Sequence, residues 1–158
     1  GLIDFALLTP NSKINDYNHM LLPLSHHWGV LMLKDDPLAQ KESIIFEDLR
    51  DKPLIVSKEL QQISDLVEWL HNDIEHFHII SSYTLLYNAS LMVEDGLGYA
   101  ICFDKLINTT GDSSLCFRPL SPHIEVPYYF IWKKYQILTR ASQYFLNIVQ
   151  DTIQELSQ

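Results

Sequence analysis

Residues 91–103 read Leu-Met-Val-Glu-Asp-Gly-Leu-Gly-Tyr-Ala-Ile-Cys-Phe, and this stretch restricts the fold more than any other part of the sequence. Apolar residues at helical spacing, among them Ala89 and Val93, run into Gly96. Glycine is common just after a helix because it adopts the left-handed backbone conformation without strain. An apolar run, residues 99–103, follows at once. The stretch therefore predicts a helix that turns through glycine directly into a buried strand.

The other apolar patterns alternate between strands and helices. Strands are predicted at residues 3–8, 27–33, 54–56, 77–80, 99–103, 115–120 and 126–132, with a looser alternation at 19–24. Besides the helix that runs into Gly96, helices are predicted at residues 58–72, with Ser57 as the N-cap, and at about 139–156. Because strands alternate with helices, the sequence predicts an α/β fold with a largely parallel sheet.

The charge balance argues against direct binding to nucleic acid. Among 158 residues, 20 are Asp or Glu and only 11 are Lys or Arg, which gives a formal net charge of -9. DNA affinity depends on basic side chains that neutralise phosphates. The apolar runs are far shorter than the ~20 residues that span a bilayer, so no membrane segment is expected. Cys102 and Cys116 lie in apolar strands and are expected to be buried thiols, with a disulfide as the less favoured alternative.

Several short motifs, in order along the chain, resemble those of one family. Residues 1–7, Gly-Leu-Ile-Asp-Phe-Ala-Leu, resemble its G-x-L-D-hydrophobic-A-I strand, and Asp-Pro-Leu at residues 36–38 resembles its H-P-L segment. Residues 44–55 contain its D-L-x-x-x-P-L-I pattern, and residues 93–101 resemble V-x-x-G-L-G-I-A-hydrophobic. With the aromatic strand at residues 127–134, these motifs resemble the effector-binding domain of LysR-type transcriptional regulators.

The resemblance implies two lobes of the type II periplasmic-binding-protein fold. Residues 25–125 would form one complete lobe, and residues 1–24 with 126–158 would be the remainder of a truncated lobe. The family's helix-turn-helix and the first elements of its effector domain would precede Gly1. The incomplete lobe is expected to expose strand edges and apolar faces, which another chain would cover unless the lobe is remodelled.

The resemblance also implies a small effector in the cleft between the lobes. Such a ligand needs hydroxyls, backbone N–H groups or helix N-termini. Ser57 with Lys58 precedes one predicted helix, Ser82 with Thr84 precedes the next, and Thr9 ends the first strand. The alternative is that these hydroxyls only cap helices. Because the set combines hydroxyls with one lysine, the expected effector is a small anion, and neither a cofactor nor a metal is expected.

The expected function is ligand sensing and dimerisation in the bacterial cytoplasm, with DNA bound only through a separate helix-turn-helix domain. A solute-binding protein of the same fold, serving a transporter, is the main alternative. An enzyme is not expected, because no catalytic constellation emerges and Gly96-Leu-Gly98 follows a helix, the wrong context for a dinucleotide-binding turn. The paired histidines His26 with His27 and His76 with His78 lack a metal-ligand spacing and are interpreted as surface or loop residues.

Overall fold

The computed structural model describes residues 3–10, 14–60, 63–71 and 73–156. The chain divides into two compact units, of which unit 1 is Gly1–His26 with Val126–Gln158 and unit 2 is His27–Glu125. The strands and helices are β1 Phe5–Leu8, β2 Tyr17–Leu33, α1 Phe46–Leu49, β3 Leu54–Ser57, α2 Ser64–Trp69, β4 Ile79–Tyr83, α3 Leu86–Glu94, β5 Tyr99–Phe103, β6 Leu115–Pro119, β7 Glu125–Lys133 and α4 Arg140–Leu156.

Unit 2 is built on a mixed sheet with the strand order β6-β2-β5-β3-β4. Strand β3 is parallel to β4 and β5, whereas β2 is antiparallel to β5 and β6. The predicted largely parallel sheet is therefore correct only for β3, β4 and β5. Parallel neighbours need a long crossover, and only α2, between β3 and β4, and α3, between β4 and β5, provide helical crossovers in the described part of this unit.

Both faces of the sheet in unit 2 are covered along strand β2. Leu31, Ile55 and Cys102 form a buried cluster with Ala89 and Val93 of α3 on one face. On β2, the residues that alternate with Leu31 point to the opposite face and are also buried. The described sheet of unit 2 therefore has no solvent-facing side along β2, as is usual where helices lie on both faces.

The glycine hinge predicted between helix and strand is confirmed. Gly96 has φ of 75°, and its N–H donates to Val93 O (2.9 Å) while the N–H of Leu97 donates to Met92 O (3.0 Å). These two bonds form a Schellman motif, which satisfies carbonyls at the end of α3. Gly98 is required for a different reason, since a Cβ at this position would lie 2.4 Å from the carbonyl oxygen of Pro53. The hinge thus brings β5 against the start of β3.

The helix predicted at residues 58–72 is much shorter in the structure. Helix α2 spans only Ser64–Trp69, with Ile63 as its N-cap residue, and residues 61, 62 and 72 lie outside the described part of the chain. Ser57 ends β3 instead of capping the helix, and its Oγ accepts a hydrogen bond from the N–H of Glu59 (3.2 Å). The N–H of Lys58 donates to Tyr83 O (2.9 Å). Bonds to the neighbouring strand and within this turn therefore replace the first turn of the predicted helix.

Unit 1 consists of β1, β7, the first half of β2 and helix α4. Strands β1 and β7 are antiparallel, and the rings of Phe5 and Phe130 stack at a centroid distance of 5.1 Å. The Phe145 ring of α4 lies 5.4 Å from the Phe5 ring. Only Leu146 of α4 is buried, and Tyr144, Phe145 and Ile148 of the same helix are exposed. The described part of unit 1 therefore presents apolar side chains of α4 on its surface.

Candidate functional site

The residues proposed in unit 2 lie at one edge of its sheet. Because β3, β4 and β5 are parallel, their C-terminal ends meet at the same edge, which is the usual position of ligands in open α/β sheets. Ser57 is the register partner of Tyr83, so Lys58 and Thr84, which follow these two residues, leave neighbouring strands side by side. The structure therefore brings Ser57, Lys58 and Thr84 together.

Strand alternation separates Ser82 from this group. Ser82 pairs with Val56, one position before the pair of Ser57 and Tyr83, and successive side chains of a strand point to opposite faces. The Ser82 side chain is exposed on the face opposite to Ser57, which is partly buried. A ligand on one face of the sheet would therefore contact Ser57 or Ser82 but not both side chains.

Helix α3 begins beside this edge without a hydroxyl cap. Its N-cap residue is Leu85, which supplies no side-chain hydrogen bond, and Ser82, a possible cap from the sequence, belongs to strand β4. Thr84 lies just before the cap and is exposed. A helix N-terminus favours anions through its N–H groups and its dipole. The first turn of α3 is therefore available to complement a small anion held near Thr84.

Tyr83 fixes the geometry of this edge and was not singled out from the sequence. Its hydroxyl donates to Ile101 O (2.8 Å), which joins the end of β4 to β5. Burial, and secondarily the thiol of Cys102, raises the pKa of the Tyr83 phenol well above its ordinary value. The phenol is therefore a neutral structural donor, and it links β4 to β5, which lie on either side of β3.

Two buried ring nitrogens beside the end of β5, in His27 and Trp28, were also not identified from the sequence. The N–H of His27 donates to the Asp104 carboxylate (3.0 Å), and the N–H of Asp104 donates to His27 O (3.0 Å), which ties β2 to the end of β5. His27 Nδ1 and Trp28 Nε1 are buried without a hydrogen-bond partner among the described residues. Buried polar atoms are nearly always paired, so these two nitrogens are candidates for contacts with a ligand or with water. Sequence reasoning considered His27 only as a metal ligand or a surface residue.

Other expectations concern residues away from this edge. Thr9 directly follows β1 in unit 1 and is partly buried.

Among the residues that the structure describes, no three His, Cys, Asp or Glu side chains are grouped so that they could hold a metal ion. His76 instead contacts the carboxylate of Asp73 on the surface, and both cysteines are buried thiols. None of the helices in the described ranges is both long enough and apolar enough to cross a bilayer.

Comparison with known proteins adds a family and a fold to this geometry. The family model described as the LysR substrate binding domain matches residues 1–154 of the chain. No curated protein sequence matches. Among solved structures, the chain is similar to the regulatory domain of Synechocystis PCC6803 CcmR in complex with 2-PG, with 18% identity and a TM-score of 0.74 over 95% of this chain and 73% of that one.

Two other solved structures are similar to a comparable degree. The effector-binding domain of QuiR in complex with shikimate has 18% identity and a TM-score of 0.75, over 98% of this chain and 73% of that one. HinK, a LysR family transcriptional regulator from Pseudomonas aeruginosa, has 15% identity and a TM-score of 0.74, over 96% of this chain and 54% of that one. The chain thus spans about half the length of HinK. These likenesses support the two-lobed fold expected from the sequence and give no support to the transporter alternative.

Proposed function

Since the chain belongs to the LysR substrate binding domain family, we propose that it binds a small anionic effector at the edge where β3 and β4 end. The observation that carries this proposal is the cluster of polar groups at that edge. Ser57 and Thr84 supply hydroxyls, and Lys58 supplies a positive charge. Thr84 directly precedes the N-cap residue of α3, so the N–H groups of the first turn of this helix are also close to this end of the sheet and favour a small anion.

Known complexes of similar proteins support an anionic ligand. The QuiR effector-binding domain was solved with shikimate, which is a carboxylate. In the present chain, the buried ring nitrogens of His27 and Trp28, on β2 beside the end of β5, are further polar groups that a ligand could contact. Ser82 enters the proposed site only if the ligand reaches around the end of β4, because its side chain lies on the other face. Thr9, in unit 1, is proposed as a contact on the family resemblance alone.

The role of the domain in the whole protein follows from the family. We infer that units 1 and 2 are the two lobes of the sensor, that it acts without catalysis in the cytoplasm, and that it forms a dimer or tetramer. DNA would be bound only by a separate helix-turn-helix domain, in keeping with the net charge of -9 on this chain. An effector can control such a protein only if it binds two arrangements of the subunits with different affinity.

The effector proposal is tested by thermal-shift and calorimetric titration of the chain with shikimate, other small carboxylates, phosphate and sulfate. A ligand at 100 times its Kd stabilises the native state by about 2.7 kcal/mol, which raises Tm by roughly 5–10 °C for a chain of this size. Ser57→Ala, Thr84→Ala and Lys58→Gln should each weaken the response. Lys133→Gln removes an exposed lysine of unit 1 and is the matched control.

The outcomes separate the parts of the proposal. A panel in which neutral analogues bind as well as the anions would show that the ligand class is wrong. Unchanged affinity in both Ser57→Ala and Thr84→Ala would show that the site is elsewhere. Ser82→Ala tests which face of the sheet the ligand occupies. If Ser82→Ala lowers the affinity as much as Ser57→Ala does, the ligand is not confined to the Ser57 face.

A further inference from the structure

One cavity of unit 2 involves none of the residues proposed above. It has a volume of about 610 Å³ and is lined by α1, α2 and the connection at residues 121–124. This volume lies within the range of pockets that hold small molecules. Its walls combine aromatic rings with carboxylates, and we propose that it binds a small organic cation that carries an ammonium group.

The aromatic part of the cavity is held rigidly. The Phe46 ring stacks on His71 with a centroid distance of 4.2 Å and an interplanar angle of 11°, and it contacts Trp69 edge-on at 6.3 Å. The indole N–H of Trp69 donates to Ser121 O (3.2 Å), which fixes that ring against the opposite wall. Trp69 is 7% exposed and His71 covers one face of Phe46, so a ligand would meet only the remaining parts of these rings. Aromatic faces attract organic cations because the ring face carries partial negative charge.

The charge of the lining complements a cation. Glu47, Asp65 and Glu68 line the cavity, and among the described lining residues none is Lys or Arg. Lys41, which precedes α1, is already paired with Asp48 at 2.5 Å. An anion would therefore meet three carboxylates here, whereas an ammonium ion would be attracted both by these groups and by the rings.

Helix stability alone does not explain all three carboxylates. Glu47 and Asp65 lie in the first turns of α1 and α2, where negative charge stabilises a helix through its dipole. Glu68 lies in the last turn of α2, where negative charge is unfavourable. It is exposed on the cavity wall and forms no ion pair with a described residue. A bound cation would therefore explain the position of Glu68 better than the stability of α2 does.

The test is a titration of the full chain with choline chloride, followed by heteronuclear NMR at the indole N–H of Trp69. A saturable shift is expected with choline. None is expected with sodium chloride at equal ionic strength or with dimethylbutanol, in which carbon replaces the quaternary nitrogen. Glu68→Gln should raise the Kd at least about fivefold through the loss of one charge contact, while Tm stays equal or rises because a charge unfavourable to the helix is removed.

Glu155→Gln, an exposed glutamate on α4 of unit 1, is the matched control and should leave the Kd unchanged. Equal shifts with dimethylbutanol would show an apolar pocket without cation selectivity. An unaltered Kd in Glu68→Gln, or choline shifts that map away from Trp69, would overturn the assignment. A lower Tm together with weaker binding would also contradict it, because Glu68 would then be a structural residue of α2.

Discussion

Gly98→Ala is the substitution that most directly tests how the hinge positions β5. An alanine Cβ at this position would lie 2.4 Å from the carbonyl oxygen of Pro53 and 3.2 Å from a terminal carbon of Ile80. The carbonyl oxygen of Pro53 is a backbone atom, so this clash is relieved only if β5 moves away from β3. The same carbonyl accepts the N–H of Tyr99 (2.9 Å), and this hydrogen bond is lost when the strands separate.

The expected cost combines these two effects. Forcing an extra carbon into a packed position costs about 1–3 kcal/mol, and loss of the hydrogen bond adds about 1 kcal/mol. Gly98→Ala should therefore lower the free energy of unfolding by about 2–4 kcal/mol and Tm by roughly 4–16 °C. Urea denaturation followed by circular dichroism measures the first quantity, and calorimetry measures the second.

Two other glycines provide controls without the steric clash. Gly96 has φ of 75° and only one atom, 4.0 Å away, near a built Cβ, and Gly111 has φ of 59° and no atom within 4 Å. Alanine at either position should cost only the left-handed backbone penalty of about 1–2 kcal/mol. If Gly98→Ala destabilised the protein no more than Gly111→Ala does, the close approach of β5 to Pro53 would not be the reason for the glycine.

Further predictions concern the sheet of unit 2. Tyr83→Phe removes the hydrogen bond to Ile101 O and should lower the free energy of unfolding, measured by urea denaturation, by about 1 kcal/mol. An unchanged free energy of unfolding would mean that the hydroxyl does not join the strands. Burial raises the pKa of the Cys102 thiol from 9.0 to about 12, so the native state retains a proton that the unfolded chain loses. The contribution of this thiol to stability should thus be constant well below pH 9 and fall above it by up to about 1.4 kcal/mol per pH unit, and Cys102→Ala should reduce the fall at alkaline pH. Cys102 and Cys116 pair with positions of β2 that face opposite sides of the sheet. Mild oxidation of the native protein should therefore give no intramolecular disulfide, which mass spectrometry under non-reducing conditions would detect.

Elements with a strong local signal could be predicted from the sequence. The end of α3 at Gly96 and the strand that follows were predicted because the backbone conformation of a glycine hinge depends on nearby residues only. The ordered motifs likewise identified the family, since each motif reports a local turn or strand. The sequence placed Ser57 and Thr84 before predicted helices, whereas in the structure Ser57 ends β3 and Thr84 follows β4 directly.

What depends on pairing with distant residues could not be predicted. Strand β2 runs unbroken from Tyr17 to Leu33, although its sequence suggested two pieces, because partners on both sides determine its length. The first turn of the helix predicted from residue 58 is replaced by a bond to Tyr83, which lies 25 positions further along the chain.

The sequence by itself therefore determined the family, the α/β class and the hinge at Gly96, because helix ends, glycine turns and apolar periods are properties of neighbouring residues. Only the tertiary structure decided which side chains share a face. It placed Ser57 and Ser82 on opposite faces of the sheet through their register with β3 and β4 partners. It also enclosed Phe46 and Trp69 with three carboxylates in one cavity, because the packing of α1 against α2 brings together residues that no local pattern relates.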